Sequence, residues 1–191
     1  ITNPLGFLKI NFTIKDLNQS GLLSVKPSLY VCNVDEESVL DGNKLSKLVQ
    51  IQAKKNNHDS VIVSALIESQ FAELENNNDR IELLKELGIN DTTLKKVITA
   101  GYNLLGLINF FTSVPKETKS WTIKKNTLAP QAAGKIHSDF EKGFIRAETI
   151  DYSDFIELKG ESASREAGKL RQEGKEYIVK DGDVMFFRTS A

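Results

Sequence analysis

Two short polar segments, each placed directly after an apolar run, have the composition of ligand-binding loops. Residues 33–36 read Asn-Val-Asp-Glu and follow Leu-Tyr-Val-Cys, whereas residues 64–66 read Ser-Ala-Leu and follow Val-Ile-Val. Open α/β sheets bind ligands at the carboxyl ends of their strands, which is where both segments are expected to lie. Taken alone, the first segment also fits an ordinary acidic loop after a strand, and the second is a weak tripeptide signal.

The residues that most often bind metals are too sparse here to form a site. The chain has two histidines, His58 and His137, and one cysteine, Cys32, without His-x-His or Cys-x-x-Cys spacing. A structural zinc site is therefore not expected. We expect His58 in a loop, His137 packed or half-exposed on a helix, and Cys32 as a small core residue. A single cysteine also fits a reducing compartment.

The composition excludes several classes of protein. The chain has 191 residues, of which 40% are hydrophobic and 27% charged, so it can bury a core and is not a disordered chain. No apolar run is long enough to span a bilayer, and residues 1–20 do not resemble a signal peptide, so a cytoplasmic protein is expected. The net charge of −1 gives no global attraction for nucleic acid. Because the chain opens on Ile1 and its only methionine is Met185, we expect that it has lost its natural beginning.

The first half of the chain reads as a strand, a helix and a second strand. Pro27 precedes an unbroken apolar run, which predicts a strand buried on both faces at 28–33. A helix follows over 42–55, with Leu45, Leu48, Val49 and Ile51 near one face, and a second buried strand is predicted at 60–64. This order is typical of a βαβ crossover in a parallel sheet. Two further helices are predicted, over 70–87 ending at Gly88, and over 91–105 with Asp91 as its N-cap.

The second half changes character and predicts a separate, small α+β unit. Its predicted strands are short and bounded by turn residues, at 110–113, 120–124, 144–150, 177–179 and 184–187. One helix is expected over 129–140, with Pro130 in its first turn. We therefore predict two domains, 1–105 and 106–189, with residues 1–21 left without a clear assignment.

Several longer blocks then identify a family. The block from Ala129 to Ala147 (APQAAGKIHSDFEKGFIRA), together with WTIK at 121–124, GKEYIV at 174–179 and DGDV at 181–184, resembles the C-terminal TGS domain of the YchF family. These proteins are the Obg-like ATPases of the translation-factor class of P-loop NTPases. Upstream, KPSLYVCN at 26–33 and AGYNLLGL at 100–107 also match, so the resemblance covers residues 22–191.

The resemblance implies a fold and an activity. The expected fold class is α/β, a partial P-loop NTPase sheet with helices, followed by a small β-grasp-like TGS domain with one helix. A Walker A loop, G-x-x-x-x-G-K-[ST], does not occur in the sequence, because Gly134-Lys135, Gly168-Lys169 and Gly174-Lys175 each lack the following Ser or Thr. The phosphate loop and the ligands of Mg²⁺ are thus expected upstream, so no catalytic or metal-binding residue is expected in this chain. The chain alone is predicted to be inactive.

The same resemblance gives the two loops a role in binding the nucleotide base. GTPases of this class carry Asn-Lys-x-Asp, whose Asp accepts the N–H groups of guanine. Here Val34 stands in the Lys position and Glu36 in the Asp position, which is typical of the YchF family and implies a preference for ATP over GTP. The resemblance also implies that Val34 contacts the base through its backbone, that Asn33 ties neighbouring loops together, and that Ser64, Ala65 and Leu66 close over the base with an amide N–H near the ring edge.

The predicted partners are ATP with Mg²⁺, and a ribosome, ribosomal RNA or translation-associated protein bound through the TGS domain. Residues 107–191 hold 14 Lys and Arg against 13 Asp and Glu, so any nucleic-acid binding must be local. Basic residues lie near Trp121, Phe110 and Phe111, where they could follow a nucleic-acid backbone while the aromatic rings stack on bases: Lys116, Lys119, Lys124 and Lys125. The open alternative is that the aromatic residues are core and the lysines keep an edge strand soluble. A second alternative is that the whole chain is a non-enzymatic TGS-containing adaptor.

Overall fold

The computed structural model describes residues 21–23, 26–114 and 117–190. Two compact units are present, one ending at Ala100 and the other beginning at Gly101. The sequence predicted the domain boundary a few residues later, after Leu105. The predicted Lys116 and the unassigned residues 1–20 lie outside the described residues.

The first unit contains the predicted βαβ arrangement. Strand β1 (Leu29–Asn33) is followed by a 3₁₀ turn (Glu36–Ser38), helix α1 (Lys44–Lys55) and strand β2 (Asp59–Val63). β1 and β2 pair in parallel, from Leu29 opposite Asp59 to Asn33 opposite Val63. Asn43 and Ser46 form a reciprocal capping box at the start of α1, which fixes where the helix begins.

The burial of these elements differs from the prediction. Only Cys32 of β1 is buried, whereas Tyr30 and Val31 are exposed, so β1 is not covered on both faces. Helix α1 packs against the strands through Ser46 and Ala53 rather than through its apolar side chains, because three of its large apolar residues are more than half exposed: Leu45, Leu48 and Ile51. The apolar run of β1 identified a strand correctly, but in the described part of the chain its sheet has two strands only.

The helices after β2 also differ from the prediction. The single helix predicted over 70–87 is two helices, α2 (Ala65–Glu73) and α3 (Asn77–Glu86), because Asn76 accepts a hydrogen bond from the amide of Asn78 and starts a new helix. Gly88 follows α3 with a φ of 65°, as expected for a C-terminal cap. Helix α4 (Thr93–Leu105) begins two residues after Asp91. The core of this unit consists of residues from α2 and the flanking turns: Val39, Ile67, Phe71 and Ile89.

The second unit is a five-stranded mixed sheet with helices. Its elements in chain order are β3 (Leu107–Val114), β4 (Glu117–Lys124), α5 (Ala129–Ile136), α6 (Ser138–Lys142), β5 (Phe144–Ile150), α7 (Tyr152–Glu157), α8 (Glu161–Glu166), β6 (Arg171–Glu173) and β7 (Val184–Thr189). The strand order is β4-β3-β7-β5-β6, in which β3 and β7 are parallel and the other neighbours antiparallel. Phe110, Met185, Ala132 and Ala133 are fully buried between the sheet and α5.

Three predicted elements of this unit are corrected. The helix predicted over 129–140 is broken at His137, whose extended backbone (φ −157°) ends α5 and whose Nδ1 accepts a hydrogen bond from the amide of Asp139. His137 is therefore a cap and not a residue within a helix. Residues 177–179 make only a single bridge, between Ile178 and Leu128. Helices α7 and α8 and strand β6 were not predicted, so the unit contains more helices than the single one that was expected.

Candidate functional site

The two loops singled out from the sequence meet at the carboxyl ends of β1 and β2. Asn33 is the last residue of β1, and its side-chain oxygen accepts a hydrogen bond of 3.0 Å from the backbone N–H of Ala65. Because β1 and β2 are parallel, their ends reach the same edge of the sheet, and one side chain can bridge the two loops. The arrangement is the one expected for Asn33.

Val34 contributes its backbone rather than its side chain to this edge. The side chain is buried, with 8% of the residue exposed, and the N–H donates a hydrogen bond of 2.9 Å to the carbonyl of Val63. The carbonyl of Val34 has no hydrogen-bond partner among the residues that the structure describes. An acceptor is thus available at Val34, whereas its N–H is occupied.

Glu36 is held by a residue that the sequence analysis missed. Gln70 on α2 donates a hydrogen bond of 2.6 Å from Nε2 to Oε1 of Glu36. This contact joins the first loop to a helix 34 positions further along the chain, so no local spacing reveals it. One oxygen of the half-buried Glu36 carboxylate is therefore engaged within the protein.

The second loop, residues 64–66, is held in place by a hydrogen bond to α4. Ser64 is fully buried, and its N–H lies 3.4 Å from Oγ1 of Thr93. Thr93 in turn donates a hydrogen bond of 2.6 Å to Oε1 of Glu68, which also accepts one of 2.9 Å from the N–H of Leu94. Glu68 and Thr93 were not among the predicted site residues. Together they hold the start of α2 in place.

The start of α2 leaves backbone donors unused. Ser64 precedes the helix without capping it through its side chain, and the N–H of Ala65 is taken by Asn33. Within the described chain, the amides of Leu66 and Ile67 have no hydrogen-bond partner, as expected for the first turn of a helix. The amide predicted to approach a ring edge is therefore better assigned to Leu66 than to Ala65. Leu66 also exposes 57% of its surface.

At this edge, within the described residues, the carbonyl of Val34 is a free acceptor and the amides of Leu66 and Ile67 are free donors, whereas one oxygen of the Glu36 carboxylate is engaged. A carbonyl at Val34 can accept a hydrogen bond from an exocyclic amine, and an amide at Leu66 can donate one to a ring nitrogen. Adenine offers this combination at its N6 and N1 positions, whereas guanine presents two donors that an Asp carboxylate would accept. The edge formed by β1 and β2 therefore presents backbone groups that can hydrogen-bond to the edge of an adenine ring.

The predicted lysines of the second unit do not form one patch. Lys119 and Lys124 are five positions apart on β4, so their side chains point to opposite faces of the sheet. Lys119 pairs with Glu117 at 3.0 Å, whereas Lys125 lies 3.5 Å from the side-chain oxygen of Asn103. Lys124 and Lys125 are exposed at the end of the edge strand.

Of the neighbouring aromatic residues, Phe110 belongs to the core, whereas Trp121 and Phe111 are half-buried. Phe110 is fully buried and stacks on Trp121 with ring centroids 6.5 Å apart. The indole N–H of Trp121 donates a hydrogen bond of 2.9 Å to Thr112, so its polar edge is also occupied. Phe111 faces Tyr152 at 5.8 Å. The core interpretation of Phe110, which was one of the two alternatives, is thus the correct one.

The second unit contains two buried carboxylates whose pKa values shift in opposite directions. Glu148 exposes 3% of its surface and is contacted by three arginines, of which the hydrogen bond from Arg188 contributes most to lowering its pKa to about 2. Asp183 is also buried, and burial raises its pKa even though Tyr177 and the N–H of Lys180 donate hydrogen bonds to Oδ2. Burial likewise raises the pKa of Tyr177.

The described residues contain no group of three or more His, Cys, Asp or Glu side chains able to hold a metal ion. Among the same residues, no helix is both long and apolar enough to cross a membrane.

Comparison with known proteins adds an independent line of argument. Residues 107–190 match the family model YchF-GTPase_C, described as "Protein of unknown function (DUF933)". The Ribosome-binding ATPase YchF of Escherichia coli O157:H7 is 50% identical over 167 residues, which cover 86% of this chain and 45% of the relative. The Obg-like ATPase 1 of Danio rerio is 40% identical over 179 residues, covering 92% and 44%.

A solved structure is also similar. The YchF GTPase of Schizosaccharomyces pombe superimposes with a TM-score of 0.78 and 35% identity, over 94% of this chain and 49% of that one. This chain thus spans about half the length of the relatives it matches. With matches across both of its units, the chain belongs to the YchF family, which includes the Obg-like ATPases.

Proposed function

We propose that this chain is part of an ATP-preferring, ribosome-associated P-loop NTPase, to which it contributes base selection and a docking module. The observation that carries the proposal is the engagement of Glu36 by Gln70 at 2.6 Å, beside the open carbonyl of Val34. This geometry favours adenine because an acceptor is free, whereas the carboxylate that would bind guanine is not. The names of the relatives, which mention ATPase activity and ribosome binding, support the same function.

Base selection would use the six residues of the two loops. Asn33 holds the loops together, the Val34 carbonyl accepts from the exocyclic amine of adenine, and Glu36 is kept away from the base. Ser64 and Ala65 shape the start of α2, and Leu66 supplies an amide to the ring. Because the sequence contains no Walker A loop, phosphate and Mg²⁺ binding are assigned to another part of the intact protein. The chain alone should then show no ATPase activity above background.

The second unit would act as the TGS docking domain that contacts the ribosome. Association with ribosomes implies a cytoplasmic protein. Of the four predicted lysines, Lys124 and Lys125 are exposed side by side at the end of an edge strand. We place the ribosome contact on this pair, and Lys119 outside it because its side chain points to the other face.

The competing function is a TGS-containing adaptor that binds no nucleotide. Thermal-shift titration of the intact protein separates the two, since a ligand that binds only the folded state raises the melting temperature. ATP should stabilise the wild type, and Asn33→Ala should reduce that stabilisation. Absence of any shift with ATP or GTP would favour the adaptor.

A further inference from the structure

Three arginines converge on one buried carboxylate in the second unit. Oε1 of Glu148 lies 3.4 Å from Arg146, whereas Oε2 lies 3.0 Å from Arg165 and 2.8 Å from Arg188. Arg146 and Arg188 are opposite each other on β5 and β7, and Arg165 comes from α8. Ala147 and Phe187, the sequence neighbours of Arg146 and Arg188, pack on the core. Because side chains alternate along a strand, the guanidinium cluster (Arg146, Arg165, Arg188) lies on the other face of the sheet.

The carboxylate uses only a small part of what these arginines offer. A guanidinium has five N–H donors, and each of the three gives one terminal nitrogen to Glu148. Their side chains remain 43%, 49% and 49% exposed, in the order Arg146, Arg165, Arg188. Part of each guanidinium therefore remains accessible to solvent, whereas Nε of Arg146 is buried.

The charge of the cluster is positive. Besides Glu148, the carboxylate bound to it is Glu161, which accepts a hydrogen bond of 2.9 Å from Arg165. Three guanidinium charges therefore face two carboxylates, one of which is buried beneath them. Holding the arginines on two strands and a helix also reduces the entropy cost of ordering them when they bind an anion.

We infer that the guanidinium cluster is a binding surface for the phosphate backbone of RNA. Planar guanidinium groups bind phosphate oxygens with two parallel hydrogen bonds, and a polynucleotide can engage several such groups at once. The choice of RNA over an acidic protein rests on the proposed association with ribosomes. The cluster is a different surface from the Lys124–Lys125 pair.

The test is the binding of a fluorescein-labelled oligouridine to the full 191-residue chain, measured by fluorescence anisotropy at several KCl concentrations. Replacing Arg165 and Arg188 together by Gln should weaken binding at least about tenfold and flatten the salt dependence by about 0.7 for each phosphate that the variant no longer neutralises. A matched control, Lys159→Gln with Lys175→Gln, removes the same charge from exposed lysines and should change the affinity far less. Thermal melting monitored by circular dichroism shows whether each variant is folded.

Glu161→Gln keeps the test decisive even if the arginine variants fail to fold. It leaves all three arginines in place and frees Arg165, so RNA should bind about two- to fivefold more tightly because one repelling charge is removed. Tighter binding supports the inference. Unchanged or weaker binding of RNA by a folded Glu161→Gln variant overturns it.

Three other results would overturn the inference. The first is a wild-type chain that does not bind the oligouridine, and the second is an equal fall in affinity for the arginine and lysine variants. The third is an arginine variant that no longer binds ribosomes but binds RNA normally, which would identify an acidic protein surface as the partner. Failure of ATP to bind the intact protein would remove the proposed function but leave a positive RNA result standing.

Discussion

The side chain of Gln70 donates a hydrogen bond of 2.6 Å to Glu36, and thereby ties the loop after β1 to helix α2. Glu is one methylene longer than Asp, which lets its carboxylate reach the helix instead of the base edge. In the proposed function, Glu36 thus occupies a base-selecting position but binds Gln70 through one of its oxygens. Selection against guanine would then result from this engagement as well as from contacts to adenine.

Releasing Glu36 should relax this selection. In the intact protein, Gln70→Leu removes the donor but keeps most of the side-chain volume, so the carboxylate becomes free to accept the N–H groups of guanine. We expect the ratio of GTP affinity to ATP affinity to rise by about tenfold or more, because one hydrogen bond to a charged group contributes about 1.5–3 kcal/mol. Calorimetric titration with each nucleotide measures this ratio.

The matched control for Gln70→Leu is Gln52→Leu on α1, where the glutamine is exposed. This variant should bind both nucleotides as the wild type does. A Gln70→Leu protein that is folded and keeps the wild-type ratio would show that Glu36 does not govern base choice. A Lys at position 34 is a poorer test, because the buried Val34 site would have to accept an ammonium group.

Removing the link between the loops should weaken the binding of ATP and of GTP equally. Asn33→Ala deletes the oxygen that holds the N–H of Ala65, which frees both loop ends without changing the groups that read the base. Affinity for ATP and for GTP should each fall several-fold, in line with about 1 kcal/mol for one hydrogen bond. Asn33→Asp, which keeps the acceptor, should recover most of the affinity. A large change in the ATP to GTP ratio would contradict the assigned role.

The sequence was sufficient to predict that Asn33 and the 64–66 loop lie together. Both follow strands joined by one helix, and a parallel crossover brings the ends of its strands to the same edge. It was not sufficient to find Gln70, Glu68 or Thr93. Their contacts depend on where α2 starts and how it is oriented, whereas its apolar pattern placed that helix five residues too late.

The errors in the secondary structure have a similar origin. Asn76 and His137 each start a helix by accepting a local hydrogen bond with their own side chain, which the apolar periodicity does not register. The exposure of Tyr30 and Val31 was missed because an apolar run predicts a buried strand without specifying what covers it. In contrast, Gly88 was correctly placed after a helix, since a positive φ strongly favours glycine.

The buried Glu148 should make the second unit sensitive to acid. Its pKa is lowered from 4.5 to about 2 in the folded protein, so the stabilisation is complete above about pH 4.5 and is lost as the pH falls toward 2. Glu148→Gln should lower the free energy of unfolding at pH 7 by about 3 kcal/mol and remove this part of the pH dependence. Urea unfolding between pH 2 and 7 provides the measurement.

Comparing the unfolding of the wild type with that of Glu148→Gln isolates the contribution of Glu148, since Asp183 is present in both proteins. The comparison is needed because Asp183 changes the free energy of unfolding with pH in the opposite direction. The pKa of Asp183 is raised, so its protonation favours the folded state as the pH falls. The difference between the two unfolding profiles should shrink steadily below pH 4.5. A difference that stays constant down to pH 2 would show that the arginines do not stabilise the charged form of Glu148.

The exposed lysine pair should control ribosome association. Lys124→Glu with Lys125→Glu reverses two charges at the end of the edge strand and should weaken co-sedimentation of the intact protein with ribosomes, most clearly at low salt. Affinity for ATP should not change, because the base site lies in the first unit. Lys159→Glu with Lys175→Glu serves as the charge-matched control. Equal effects of the two double variants would show that only net charge matters.

The most direct test of the account is the comparison of ATP and GTP binding to the wild-type intact protein by isothermal titration calorimetry at the same Mg²⁺ concentration. The free carbonyl of Val34 and the engaged carboxylate of Glu36 predict that ATP binds at least about tenfold more tightly than GTP, a difference of about 1.4 kcal/mol. Binding of GTP as tightly as ATP, or more tightly, would contradict the central claim that these loops select adenine.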